Sequence, residues 1–212
     1  KSTGAQVLFK VKGQDIVLPA FTTRVDTIFG VSFVVLAPER EGVMDLVTPE
    51  QRDEVARYIE QAKKVSEIER LSTVRERTGV FTGAYAVNPV NGDRIPVWIA
   101  DYVLISYGTG AIMAVPAHDQ RDYDFAKKFG IDIIQVIKGG DIEKEAYTGD
   151  GEMINSDFLN GYTNKKDSIK RMLEELEKRG IGEAGVQYKM KDWAFNRQRY
   201  WGEPIPIVHC PT

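Results

Sequence analysis

The chain has 212 residues, 42% hydrophobic, 10% aromatic and 28% charged, which is ordinary globular usage and excludes a disordered or low-complexity protein. A formal net charge of −3 argues against a surface that grips a long nucleic-acid backbone, where affinity comes from phosphate contacts, but leaves a single exposed RNA end within reach. One cysteine, Cys210, excludes an internal disulfide and a cysteine-built metal cage. No run approaches the roughly 18 apolar residues of a membrane helix, and Lys1-Ser2-Thr3-Gly4 does not open a secretory signal, so the expected setting is cytoplasmic.

In chain order, Gln6 to Val11 and Ile16 to Phe21 flank Lys12-Gly13-Gln14-Asp15 and predict a hairpin. After TTRVDTIFG (22–30), the β-branched run Val31 to Ala37 predicts a strand buried on both faces. Thr48-Pro49-Glu50 then opens a helix with Val55, Ile59 and Ala62 at helical spacing, Thr48 as its cap. Residues 67–78 are charged and without period. Val80 to Ile99, broken by Asn88-Pro89-Val90-Asn91-Gly92-Asp93, reads as a second hairpin. Tyr102 to Tyr107 and Ala111 to Val115 are expected strands around Gly108-Thr109-Gly110. Asp119 begins a helix whose inward face is Tyr123, Phe125, Ala126 and Phe129, ended by Gly130, and Ile133 to Ile137 is expected as another strand. Asn164 to Arg179 is amphipathic and closed by Gly180. Strands outnumber helices and meet through hairpins, so the expected fold is α+β: a largely antiparallel β-barrel with peripheral helices. From about Lys189 the chain turns aromatic and basic without a period. The expected division is 1–188 for the main domain and 189–212 for a fragment of another.

The sequence contains no GxSxG, HExxH, Walker loop or paired CxxC, so the chemistry must come from elsewhere. With His118 and His209 the only histidines, no metal site is expected. In His118-Asp119-Gln120-Arg121-Asp122 two acids three apart share the first turn of a helix, where backbone N–H groups carry partial positive charge and both acids are expected to be ionised at neutral pH. They read either as an N-cap with a dipole-complementing partner or as a carboxylate that holds an ammonium group. Thr22-Thr23-Arg24-Val25-Asp26-Thr27 gathers three hydroxyls and a guanidinium after a strand. Such hydroxyls donate to an oxyanion or position a water, but threonine also favours strands, and Arg24 with Asp26 reads equally as a local ion pair. His118 before a helix is either a satisfied polar group or a base.

Three segments together, TTRVDTIFG (22–30), GTGAIMAVPAHDQRDYDFAKKFG (108–130) and KDWAFNRQRYWGEPIP (191–206), closely resemble leucyl-tRNA synthetases. The resemblance spans the chain and implies the editing domain inserted into the catalytic core of the class I synthetases for leucine, isoleucine and valine, with the third segment marking the return to that core. Val25 departs from the proline usual after the arginine. The implied function is post-transfer editing, hydrolysis of the ester of tRNA(Leu) mischarged with isoleucine, norvaline or methionine; the alternative is a non-catalytic module that docks the tRNA 3′ end. By resemblance, Asp122 holds the α-ammonium, Thr22 and Thr23 flank the carbonyl and the attacking water, Arg24 organises the loop, and the methyl of Thr27 excludes leucine. Leu104, Tyr107, Met113 and Val115 line the pocket, while His118 and Asp119 contact the ribose or support Asp122. No cofactor is implied for this domain, ATP and magnesium serving the synthetic core; the implied partners are the tRNA(Leu) 3′ end and the rest of the synthetase chain, and the implied state is monomeric.

Overall fold

The computed structural model describes residues 1–65, 67–70, 77–105 and 108–187. β1 (Ser2–Val11) and β2 (Val17–Thr22) form the expected hairpin, antiparallel from Ala5↔Thr22 to Lys10↔Val17. Alternation puts Ala5, Val7, Phe9 and Val11 inside. A 3-10 turn over Val25–Gly30, buried throughout, leads to β3 (Phe33–Leu36), whose four residues are all buried, as a strand covered on both faces requires. The next helix, α1 (Arg52–Lys63), follows a 3-10 turn over Pro49–Gln51 and buries Val55, Ile59 and Ala62, although the Thr48 side chain makes no capping bond. The one-turn α2 (Glu67–Arg70) precedes β4 (Gly79–Val87) and β5 (Arg94–Ala100), the second hairpin. Between Phe81 and Tyr85 the register shifts, and there Gly83 takes φ +80 against Thr48; a Cβ at this position would lie 2.1 Å from the Thr48 hydroxyl.

β6 (Ala111–Ala114) pairs with β3, and α3 (Gln120–Phe129) runs from an Asp119 cap to Gly130 in the left-handed region, as expected. α4 (Lys165–Arg179), capped by Asn164, and β7 (Gly182–Gln187) complete the described chain.

The sheet order is β2-β1-β4-β5-β3-β6, with β7 on β1 beside its β4 contact, and all pairs are antiparallel except β3 with β5. The fold is therefore α+β with one seven-stranded sheet, but the expected closed barrel is not what forms. The sheet coils until its end strands β2 and β6 lie alongside each other, and the Thr109 hydroxyl donates to the Pro19 carbonyl across the seam, yet no ladder joins them. One core cluster (Phe9, Leu18, Ile28, Leu36, Ile99) includes Met172 and Leu176 of α4. The other, Phe33, Val35, Tyr102 and Phe125, sits under α3, with Phe33 and Phe125 stacked at 5.3 Å.

Two expected strands are absent for a shared reason: side chains satisfy the backbone groups that a ladder would have used. After β5 the Asp101 and Val103 carbonyls accept from the Arg70 guanidinium at 2.6 and 2.8 Å, and residues 102–105 form no strand, residues 106 and 107 lying outside the described set. In 133–137 the amides of Val136 and Ile137 donate to His118 Nε2, leaving one isolated bridge, Ile137 with Met153. The expected boundary at residue 188/189 also lies outside the described residues.

Candidate active site

The unclosed seam between β2 and β6 opens into a cavity of about 240 Å³. Phe21, Thr22, Thr23, Arg24 and Thr27 form one wall; Ile112 and Met113 of β6, with Val115 just after it, form the floor; His118, Asp119, Arg121 and Asp122 form the other wall. The two segments singled out in the sequence, distant along the chain, thus meet across one hollow. Leu104 does not line it, and Tyr107 lies outside the described residues. Phe21, Ile112 and Arg121 do line it and were not anticipated; the aromatic and aliphatic pair carried no polar signal, and Arg121 reads as an ordinary helix-surface charge. A larger hollow of about 480 Å³ lies against Phe81, Tyr85 and Trp98, but its carboxylates, Asp93 and Asp132, are exposed.

The threonine loop is held from within. The Thr22 hydroxyl accepts from the Arg24 amide at 3.0 Å, and the Thr27 hydroxyl donates to the Arg24 carbonyl at 2.8 Å, so Thr27, 2% exposed, has its polar atom engaged. Arg24 forks onto Asp26, Nε and Nη2 each at 3.1 Å from a carboxylate oxygen, and Ser168 of α4 donates to the same carboxylate at 3.3 Å. Asp26 is fully buried, so this pair is a rigid anchor rather than a solvated surface contact. The missing proline at position 25 is thereby offset: Val25 starts the 3-10 turn and is itself buried. Thr23 is exposed at the rim.

Across the cavity the two aspartates differ. Asp119 is the N-cap, accepting from the amides of Arg121 and Asp122 at 2.9 and 3.4 Å and from the Arg121 guanidinium at 3.0 and 3.2 Å. Burial pulls its pKa upward, but the Arg121 guanidinium and the two amides outweigh that, and Asp119 stays below the usual carboxylate range. Asp122, 4% exposed, accepts from the Tyr102 hydroxyl on Oδ1 and the Val115 amide on Oδ2, each at 3.0 Å. Burial, reinforced by the Asp119 charge, pushes it up to about 7 against the lowering effect of those two bonds and Arg121. The expectation that both acids are ionised at neutral pH is thus corrected: Asp119 is, and Asp122 is poised between its two forms.

His118 Nδ1 donates to the Tyr147 carbonyl at 2.8 Å, and Nε2 accepts from the Val136 and Ile137 amides at 3.0 and 3.1 Å. The bonds fix a neutral ring with its proton on Nδ1, and burial holds its pKa below the ordinary value. Both nitrogens are engaged, so His118 is a brace for residues 136–147 rather than a base, and it makes no hydrogen bond to Asp122 among the described residues. Among those residues, no cluster of three His, Cys, Asp or Glu could hold a metal.

The site therefore offers a buried carboxyl of near-neutral pKa facing a hydroxyl-bearing loop, which suits a small cationic group beside an electrophile. The model of the leucyl-tRNA synthetase editing domain matches residues 1–181. The crystal structure of the ternary complex of Agrobacterium radiobacter K84 agnB2 LeuRS with tRNA and LeuAMS is similar at a TM-score of 0.71 and 34% sequence identity, over 99% of this chain; the chain spans 23% of that protein's length. On the strength of that match and of the cavity its motifs build, the chain belongs to the leucyl-tRNA synthetase editing-domain family.

Proposed function

We propose that the chain hydrolyses the ester joining a wrong amino acid to the 3′ end of tRNA(Leu), with isoleucine, norvaline or methionine as the amino acid removed. The observation that carries the reading is that Asp122, buried with one donor on each carboxyl oxygen, shares a cavity with Thr22, Thr23 and Thr27. A substrate α-ammonium entering beside Asp122 favours the ionised carboxylate and pairs with it, fixing the ester carbonyl against the threonine loop. Water adds to the carbonyl carbon, the ester C–O bond breaks, and the water's proton passes to the departing ribose oxygen. Thr22, Thr23 and neighbouring backbone N–H groups hold the water and the developing oxyanion, a donor so aimed being worth about 3 kcal/mol. Arg24, clamped by Asp26, keeps that loop in place.

Selection must run opposite to synthesis. A pocket separates substrates differing by one methylene by only about 1–3 kcal/mol, a limit that aminoacyl-tRNA synthetases themselves illustrate. With its hydroxyl committed to the Arg24 carbonyl, Thr27 has its methyl left to present to the cavity, where it excludes leucine by repulsion. The deciding experiment is deacylation of isoleucyl-tRNA(Leu), with the chain assayed by itself and joined to the remaining synthetase domains. Hydrolysis that disappears in Asp122→Ala supports the reading. Saturable binding of the tRNA end without hydrolysis in either setting replaces it with a docking module.

A further inference from the structure

We infer that Tyr102 is a positioning residue for this reaction, its buried hydroxyl holding the Asp122 carboxyl in the orientation and ionic form that an ammonium ligand requires. The inference rests on the proposed role of Asp122 and extends it to a residue that the three motifs leave out.

Tyr102 belongs to the turn after β5, is 3% exposed, and does not line the cavity. Its ring packs against Phe125 at 5.6 Å within the cluster under α3, so the phenol cannot swing away without unpacking that cluster. Its hydroxyl meets Asp122 Oδ1 at 3.0 Å while the Val115 amide meets Oδ2 at the same distance. One donor on each oxygen sets the plane of the carboxyl and leaves the remaining lone pairs for a ligand. The direction of the Tyr102 bond is also set: burial and the adjacent carboxyl keep the phenol protonated, so it donates.

Donation stabilises the carboxylate over the acid. The other groups that bear on Asp122 are Asp119 of the same helix turn, which opposes its ionisation, and Arg121, which favours it. Arg24 of the threonine loop lines the opposite wall of the cavity, and the neutral His118 lines the same wall as Asp122. Of the two direct donors, the Val115 amide belongs to the backbone; Tyr102 is the one that a side-chain change removes. Tyr102→Phe keeps the ring and the packing, and deprives the carboxylate of a donor.

The test is the pH dependence of kcat/KM for deacylation of isoleucyl-tRNA(Leu), corrected for spontaneous hydrolysis. kcat/KM reports the free species, so its acid limb follows Asp122 near 7 and its alkaline limb the substrate ammonium near 8. Losing the donor raises the acid limb by about one unit, which lowers kcat/KM about fivefold at pH 7 and only about 1.3-fold at pH 8.5. A purely structural role gives the same loss at every pH. A 3-fluorotyrosine at position 102, a stronger donor with nearly the same shape, shifts the acid limb the other way, and it reads the same coupling should Tyr102→Phe unfold.

A pH-selective deficit in Tyr102→Phe, or an acid-going shift with fluorotyrosine, supports the inference. A uniform loss, or an unmoved profile in both variants, overturns it while leaving the Asp122 role intact if Asp122→Asn is inactive in the same assay. Full activity of Asp122→Asn overturns both.

Discussion

Replacing Asp122 by asparagine is expected to make the protein more stable and far less active. The buried carboxyl titrates at about 7 instead of 3.8, so between roughly pH 4 and pH 7 the folded chain binds a proton that the unfolded chain has released. Stability therefore falls as pH rises through that window, and above it the carboxylate costs the fold on the order of 4 kcal/mol. Asparagine carries no charge, accepts the Val115 amide with its oxygen, and donates to the Tyr102 hydroxyl with its nitrogen. Allowing roughly 2 kcal/mol for burying and re-pairing the amide, the variant gains about 2 kcal/mol at pH 8, which raises Tm by about 4–8 °C in a domain of this size. At pH 5, where the wild-type carboxyl is already neutral, the gain vanishes. Removing the partner of a buried substrate charge lowers deacylation by about 3 kcal/mol, on the order of a hundredfold. Calorimetry at pH 5 and pH 8, paired with deacylation of isoleucyl-tRNA(Leu), reads both effects. A variant no more stable than wild type at pH 8, or equally stabilised at both pH values, refutes the reasoning.

Thr27→Ala removes the proposed gating methyl together with one bond to the loop; leucyl-tRNA(Leu), which the wild type is expected to spare, is expected to be hydrolysed at least tenfold faster by the variant, measured by release of labelled leucine. His118, held neutral by its depressed pKa, contributes stability that is present above its unfolded value near 6.5 and lost as pH falls through its folded value. His118→Gln is thus expected to melt lower than wild type at pH 8, with the gap narrowing on acidification. Gly83→Ala forces a side chain onto Thr48 at a left-handed φ and is expected to lower stability by about 2–3 kcal/mol in urea titration, with the Asp122 pH response unchanged.

Much of the scaffold was legible because it follows local rules. Asp119 and Gly130 bracket α3, Asn164 and Gly180 bracket α4, and both hairpins sit at their turn residues. The errors share a physical origin in partners far along the chain. Arg70 draws off the carbonyls after β5, and His118 draws off the amides of residues 136 and 137, so apolar runs that suit strands do not pair. β7, Gly-Glu-Ala-Gly-Val-Gln, has little strand propensity and buries none of its residues; it forms because Ser2–Val7 offers an edge. A high hairpin count suggests a closed barrel, but β2 does not pair with β6, and that gap leaves room for the cavity.

At the site, residue types pointed to the threonine loop and the acid pair, but only the tertiary structure separates the acids. Asp119 is the ordinary helix cap, and Asp122 is the perturbed group. Tyr102 escaped notice because it reads as a core aromatic, which it also is; its hydroxyl acquires meaning from an aspartate twenty residues later.

The claim on which the account depends is that this cavity destroys wrong esters and spares the right one. The direct measurement is the rate of deacylation of isoleucyl-tRNA(Leu) set against that of leucyl-tRNA(Leu), under identical conditions. Rapid loss of isoleucine with leucine retained is the predicted result; equal persistence of both esters, with the protein folded and the tRNA bound, contradicts it.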